Sequence, residues 1–303
     1  MSFGFLTAMK GVTVEEEYGK SVKLRREDVM MLKEWAEKQP HLPDIPELHL
    51  IFFLQSCRFS TEKAKATIES FFTYRAHWTE FFRDRDPTLP QLRAQLEVAG
   101  FLPLPKKTTH GHQIILFRFL NTDPSRFDVN AQIKLFDMCV TQWLMKNGTC
   151  EGFAVVCDLK GVVLGHILRA NLTSIKRGIM YVQEALFTRL ISIHLVNAGS
   201  YMDRIMSMIR PFLNEELINM VHCHQNFTLP KDIPVECLPS DYGSLQPSFQ
   251  ELQDANIKRL MDYAEYFRNE DTYIADETKR AVGSVKTTDI FGVEGSFKKL
   301  DID

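Results

Sequence analysis

Apolar positions recur at helical spacing through the first 90 or so residues. Val29, Leu32, Trp35 and Ala36 step by three and four and stop at Gln39-Pro40. Leu48, Ile51, Phe52 and Gln55 predict a short second helix. Ser60 is a suitable N-cap for a long third helix, with Ile68, Phe71, Phe72, Arg75 and Trp78 as its inner stripe and an end at Asp86-Pro87. Residues 92–98 predict another short helix, closed by Gly100 and Pro103.

Beyond residue 101 the period changes. Short apolar runs at 113–119, 153–159, 189–196 and 221–224 predict strands, and helical spacing marks 130–146, 172–187, 200–209, 214–220 and 246–267. Strands alternating with helices imply βαβ crossovers. The expected fold is therefore α/β: an N-terminal helical domain followed by a mostly parallel β-sheet domain flanked by helices. The boundaries expected are an extension 1–23, helices 24–98, a sheet domain 99–246, closing helices 247–274 and a polar, mobile tail 275–303.

Composition narrows the function classes. The 303 residues are 45% apolar and 25% charged, which is globular, and a net charge of −3 excludes a globally basic nucleic-acid binder. Six cysteines without a C-x-x-C, a poor signal-peptide start and no apolar run of about 18 residues suit a cytoplasmic chain with reduced thiols. His110 and His112, and His222 and His224, are i, i+2 pairs, but no second pair stands at metal-ligand spacing, so no metal is expected. There is no nucleophile elbow, Walker A or dinucleotide fingerprint, so neither an enzyme nor a cofactor is expected. Asp158 ends a strand, and with Gly161 close behind it reads as fixing a turn. His194 reads as a structural hydrogen-bonding residue.

Four words in order carry a resemblance. They are Val156-Cys157-Asp158-Leu159-Lys160-Gly161, Ile193-His194-Leu195-Val196-Asn197, Ser207-Met208-Ile209-Arg210-Pro211-Phe212-Leu213 and Leu238-Pro239-Ser240-Asp241-Tyr242-Gly243. With them the chain resembles the CRAL-TRIO (Sec14-like) lipid-transfer family over about residues 24–268, nearest its tocopherol- and retinal-binding branch. The resemblance implies a small hydrophobic lipid bound without covalent chemistry, a monomeric carrier and transient contact with a membrane surface. Read alone, the face of Ile175, Ile179, Val182 and Leu186 is ordinary core; read with the resemblance, it is pocket wall. Core and pocket need the same residue types, so both readings stand. The wall implied comprises Leu135, Cys139, Trp143, Val155, Cys157, Val162, Leu164, Ile167, Ile179, Val182, Leu186, Leu190, Ile193, Met202, Ile205, Met206 and Ile209. A mobile gate over 200–213 would touch the bilayer through Tyr201, Ile205, Met208 and Phe212, with Leu164 and Leu168 on the opposite lip. Arg58, Arg189 and Arg210 are the cations available for a headgroup. Ile191, Glu216 and Met220 stand where the branch is basic, which argues against a phosphoinositide ligand. Sec14-type phospholipid exchange and a lipid-sensing adaptor are the alternatives.

Overall fold

The computed structural model describes residues 11–280. Its first helix, α1 (Val14–Lys20), lies in the stretch expected to be an extension. It opens on a capping box between Thr13 and Glu16 and is anchored by a buried charge. Glu17 accepts hydrogen bonds from Lys20 Nζ at 2.6 Å and from the Thr149 amide at 3.0 Å. Glycine at 148 (φ +75°) makes room, since a Cβ there would sit 1.8 Å from Glu17 Oε1. No apolar period announces such a contact.

Helices α2 (Arg26–Glu37), α3 (Glu47–Ser56) and α4 (Thr61–His77) follow as expected, and the Ser60 hydroxyl accepts from Lys63 N at the start of α4. α4 ends before the expected stop. Trp78 leaves helical geometry to stack on Tyr74, with ring centroids 3.9 Å apart, and α5 (Thr79–Phe82) and α6 (Pro90–Leu96) complete the helical half. Leu50 to Leu54 of α3 are all buried. Phe187, from the second half, inserts its ring 5.2 Å from Phe71 and 5.9 Å from Phe53, so the two halves share one core.

The second half comprises β1 (Ala99–Lys107), β2 (Gln113–Phe119), α7 (Val129–Asn147), β3 (Phe153–Asp158), α8 (Leu164–Arg169) and α9 (Leu172–Glu184). It continues with β4 (Leu190–Val196), α10 (Met202–Ile209), α11 (Glu215–Met220), β5 (Val221–Cys223), α12 (Phe249–Asp262) and α13 (Ala264–Glu270). The sheet runs β1-β2-β3-β4-β5, with β1 antiparallel to β2 and the other pairs parallel. β1 is absent from the sequence reading because Gly100, Pro103 and Pro105 look like loop. An edge strand tolerates proline, and Gly100 lets α12 close, since a Cβ would lie 2.6 Å from Gln253 Oε1.

Strands laid in sequence order with right-handed crossovers put the connecting helices on one face. Ile115, Val155, Ile193 and Val221 are in register on that face, as are Phe117, Cys157, Leu195 and Cys223. The opposite face carries Ile114, Leu116, Ala154, Val156 and Val196 and is closed by Ile233, Cys237, Leu238 and Phe249.

A buried ionic knot ties the helical half to the C-terminus. Arg75 and Arg85 share Asp137 and Glu270, all essentially inaccessible, and Tyr181 and Tyr266 donate to the two carboxylates. The chain then runs back over the helical half. The Tyr273 ring lies 4.9 Å from that of Phe72, the Asp276 amide donates to His41 O, and Arg280 pairs with Glu69 and Glu277. Residues 275–280, expected to be mobile, are thus docked; the rest of the tail lies outside the described residues.

Candidate functional site: an apolar chamber and a charged cleft

The polar residues of three of the four signature words meet in one node. Asp158 Oδ1 accepts from Asn197 Nδ2 at 2.7 Å and the Lys160 amide at 3.0 Å, and its Oδ2 accepts from Tyr242 OH at 2.8 Å. Burial and the Asp158 charge raise the Tyr242 phenol well above its ordinary range. Asp241 beside it takes Arg118 at 2.9 Å and the Phe249 amide at 2.6 Å. This node staples the ends of β3 and β4 to the C-terminal segment. It agrees with reading Asp158 as a residue that fixes a turn.

The helix-bearing face is different. A strand flanked on both sides in a parallel sheet is normally buried on both faces. Yet in β4 only His194 and Val196 are buried, while Leu190, Ile193 and Leu195 keep accessible surface, as does Cys157 beside them. Ile175, Ile179 and Val182 of α9 and Ile205, Met206 and Ile209 of α10 are half-buried too. The Cys157 thiol decides what lies against these groups. Burial, with Asp158 close by, pushes its pKa up to about 12, which a thiol facing open water would not show. Cys157 therefore keeps surface while its thiol is desolvated, and retained accessibility is what separates the residues of this face from plain core.

That criterion sorts the expected wall. A side chain lining a space wide enough for solvent retains surface even in the interior. Val162, Ile167, Ile179, Val182, Leu190, Ile193, Ile205, Met206 and Ile209 do, and Val155, Leu186 and Met202 keep a little. Leu135 and Cys139, each 1% exposed, do not. Cys139 faces away from the chamber, with Asn256 Nδ2 of α12 at 3.5 Å from its sulfur and its thiol pushed up to about 11 by burial. Both are core, because α7 is wide enough to pack on β1 and α12 as well as on α9. Trp143 is half-buried edge-on against Phe153 at 5.1 Å.

α10 packs most on the 3-10 turn Arg210–Phe212 that continues it. Its expected second stripe is broken at both ends. Tyr201 precedes the helix and folds over Gly199, and Pro211 stops the helix before Phe212, whose ring lies 5.9 Å from Lys176 Nζ. Gln183 of α9 clamps the end of this turn, its Nε2 donating to Phe212 O at 3.2 Å and its Oε1 accepting from the Asn214 amide at 2.6 Å. Val163, Leu168, Leu172 and Met208 are exposed apolar side chains. The side chain of Leu164 lies outside the described residues.

A cleft of about 500 Å³ opens between the helical half and the β4 end of the sheet. Val182, Leu186 and Leu190 form its apolar inner wall, and Arg58, Lys63, Arg189, Glu184 and Glu216 supply its charge. Arg58 (φ +54°) and Phe59 (φ +64°) hold left-handed backbone between α3 and α4, a strained way of presenting Arg58 at the rim. None of Arg58, Lys63 and Arg189 makes an ion pair among the described residues. Arg210, expected with them, does not line the cleft because it caps the far end of α10. Met220 and Glu216 line it where a polyanion receptor would be basic. Lys63 and Glu184 are additions the sequence reading missed, since only the docking of α4 on α9 brings them together. No group of three or more metal-ligating side chains occurs among the described residues, and no helix among them is long and apolar enough to cross a membrane.

The architecture is a mostly parallel sheet flanked by helices and preceded by a helical half. Comparison with known families agrees. Residues 97–243 match the CRAL/TRIO domain and residues 21–92 the Pinta-like UBA domain. The chain belongs to the CRAL-TRIO proteins. It is 24% identical over 234 residues to human alpha-tocopherol transfer protein-like, covering 75% of this chain and 68% of that one. It is 22% identical over 203 residues to human clavesin-2, covering 66% and 62%. A solved structure described as Sfh5 is similar at 12% identity with a TM-score of 0.46, over 66% of this chain and 72% of the other.

Proposed function

We propose that this protein carries a small hydrophobic lipid of tocopherol, retinoid or terpenoid type between membranes, without making or breaking a bond. The observation that carries the proposal is the apolar, partly accessible surface of Cys157, Ile193 and Leu195 on the helix-bearing face of the sheet. Burying ~400–500 Å² of ligand there at ~25 cal/mol/Å² contributes on the order of 10–12 kcal/mol gross. Lost ligand freedom offsets much of this, so α10 must act as a gate for exchange to be fast. Val163, Leu168, Leu172 and Met208 supply apolar surface for docking on a cytoplasmic membrane face. The mixed charge of the cleft, three cations against Glu184 and Glu216, supports a weak response to polyphosphoinositides.

Organic extraction and mass spectrometry of the purified protein, with transfer of NBD-labelled tocopherol between vesicles, tests the proposal. A co-purifying hydrophobic lipid and catalysed transfer are expected. A chain that carries no lipid and transfers none refutes it.

A further inference from the structure

Five of the nine histidines of the chain stand near one seam of the sheet, and lipid carriage makes no use of them. His194 of β4 is in register with His222 of β5, and their rings stack at 5.1 Å and 22°. His224 stacks on the same ring at 5.6 Å and 29°, with its Nε2 3.4 Å from His194 Nδ1. The other nitrogen of His194, Nε2, meets Ser192 Oγ at 3.0 Å. His194 is buried, whereas His222 is exposed. From the loop after β5, Asp232 acts on His194 and lies 3.8 Å from His110 Nδ1 at the β1–β2 turn. His112 beside His110 also feels Arg189 and Glu151. Asp203 of α10 faces Cys223 on the other side of β5. Asp232 is thus shared by His194, His110 and His112.

The place of this stack in the chain matters. Residues 197–220, which include α10 and the Gln183 clamp point, run from the end of β4 to the start of β5. β5 is a three-residue edge strand that, among the described residues, pairs with β4 alone. The seam continues through the His224 amide to Leu195 O at 2.8 Å and the Ala198 amide to His224 O at 3.0 Å.

We propose that His194, His222 and His224 form a proton-operated catch. With His194 neutral, its stack with His222 and His224 holds β5 on β4 and anchors the far end of the gate segment; a proton on His194 breaks the stack and releases it. The proposal rests on the carriage reading only for its consequence, not for the catch itself. The sign comes from linkage. Burial and the two neighbouring rings push the His194 pKa down to about 4, against 6.5 for a free imidazole, so the closed seam resists a proton that the open seam accepts. Falling pH below 6.5 therefore favours the open seam.

Hydrogen exchange on the full chain at pH 7.4 and 5.8, corrected for intrinsic rates, tests the catch without any ligand. The His224 and Ala198 amides should lose protection about fivefold at pH 5.8, the change that linkage through His194 alone gives. In the His194→Gln variant, which keeps a polar group but cannot charge at that position, the change should stay within twofold. Where that variant fails to fold, the His194 ring followed by NMR in the parent should titrate well below a free imidazole, and a midpoint near 6.5 counts against the catch. Equal protection at both pH values in the parent, or the same loss in the folded variant, overturns the catch. Transfer of NBD-labelled tocopherol at the two pH values is read separately: a seam that opens with no transfer at either pH refutes the carriage reading and leaves the catch supported.

Discussion

Replacing Leu168 with Gln tests whether the α8 lip docks on membranes. Leu168 is 77% exposed, Val163 47% and Leu172 39%, within ten residues of chain. Full burial of a leucine contributes about 2 kcal/mol, so inserting the exposed part of Leu168 is worth ~1.5 kcal/mol. Val163 and Leu172, scaled the same way, add about 0.7 kcal/mol each. The three together give ~3 kcal/mol, more than a hundredfold in partition coefficient. Glutamine keeps the helix propensity of leucine, so α8 should persist and folding stability should move by no more than about 0.5 kcal/mol. Sedimentation with zwitterionic vesicles should show binding roughly tenfold weaker in Leu168→Gln, with an unchanged melting curve. Neutral vesicles remove the electrostatic contribution that would mask the effect. Binding within twofold of the parent would refute insertion of this lip; a large drop in melting temperature would show instead that Leu168 packs against something in the folded chain.

Val182→Trp should lower the capacity for NBD-labelled tocopherol while overpacking costs ~1–3 kcal/mol in denaturant unfolding; normal capacity sinks the assignment of Val182 to the chamber wall. Adding bisphosphorylated inositol lipids to acceptor vesicles should change transfer little, and a large salt-sensitive stimulation would show that Arg58, Lys63 and Arg189 suffice for a polyanion. Tyr201→Asp with Met208→Asp should slow transfer between vesicles and leave equilibrium lipid binding nearly intact; parental rates would remove α10 from the gate. Asp137→Asn leaves two buried arginines with one carboxylate and should destabilise the chain by ~3–5 kcal/mol, measured by urea unfolding. A loss below about 1 kcal/mol would mean that Glu270 and the two tyrosines already neutralise the knot.

Helices and buried strands were legible because each writes a period into the chain. Val29-Leu32-Trp35-Ala36 predicts α2, and the runs at 113–119 and 153–159 predict β2 and β3. The cap Ser60 stands where local hydrogen bonding requires it, independent of what packs outside; Asp128, Asn171 and Ser248 cap α7, α9 and α12 in the same way but were not read from the sequence. The signature words were legible too, though their partnership was not: Asp158, Asn197 and Tyr242 are one node only because the parallel register brings the strand ends level. Three features needed the tertiary structure. β1 was hidden by prolines that an edge position excuses. α1 was hidden because a buried carboxylate, Glu17, holds it in place of an apolar stripe. The distinction between Leu135 or Cys139 as core and Cys157 or Ile193 as chamber wall was also out of reach. An apolar period records that a face turns from water; it does not record whether side chains or empty space lie opposite. The same limit applies to charge. Arg58, Lys63 and Arg189 are scattered across more than a hundred residues, and only the docking of α4 against α9 and β4 sets them around one cleft beside Glu184 and Glu216.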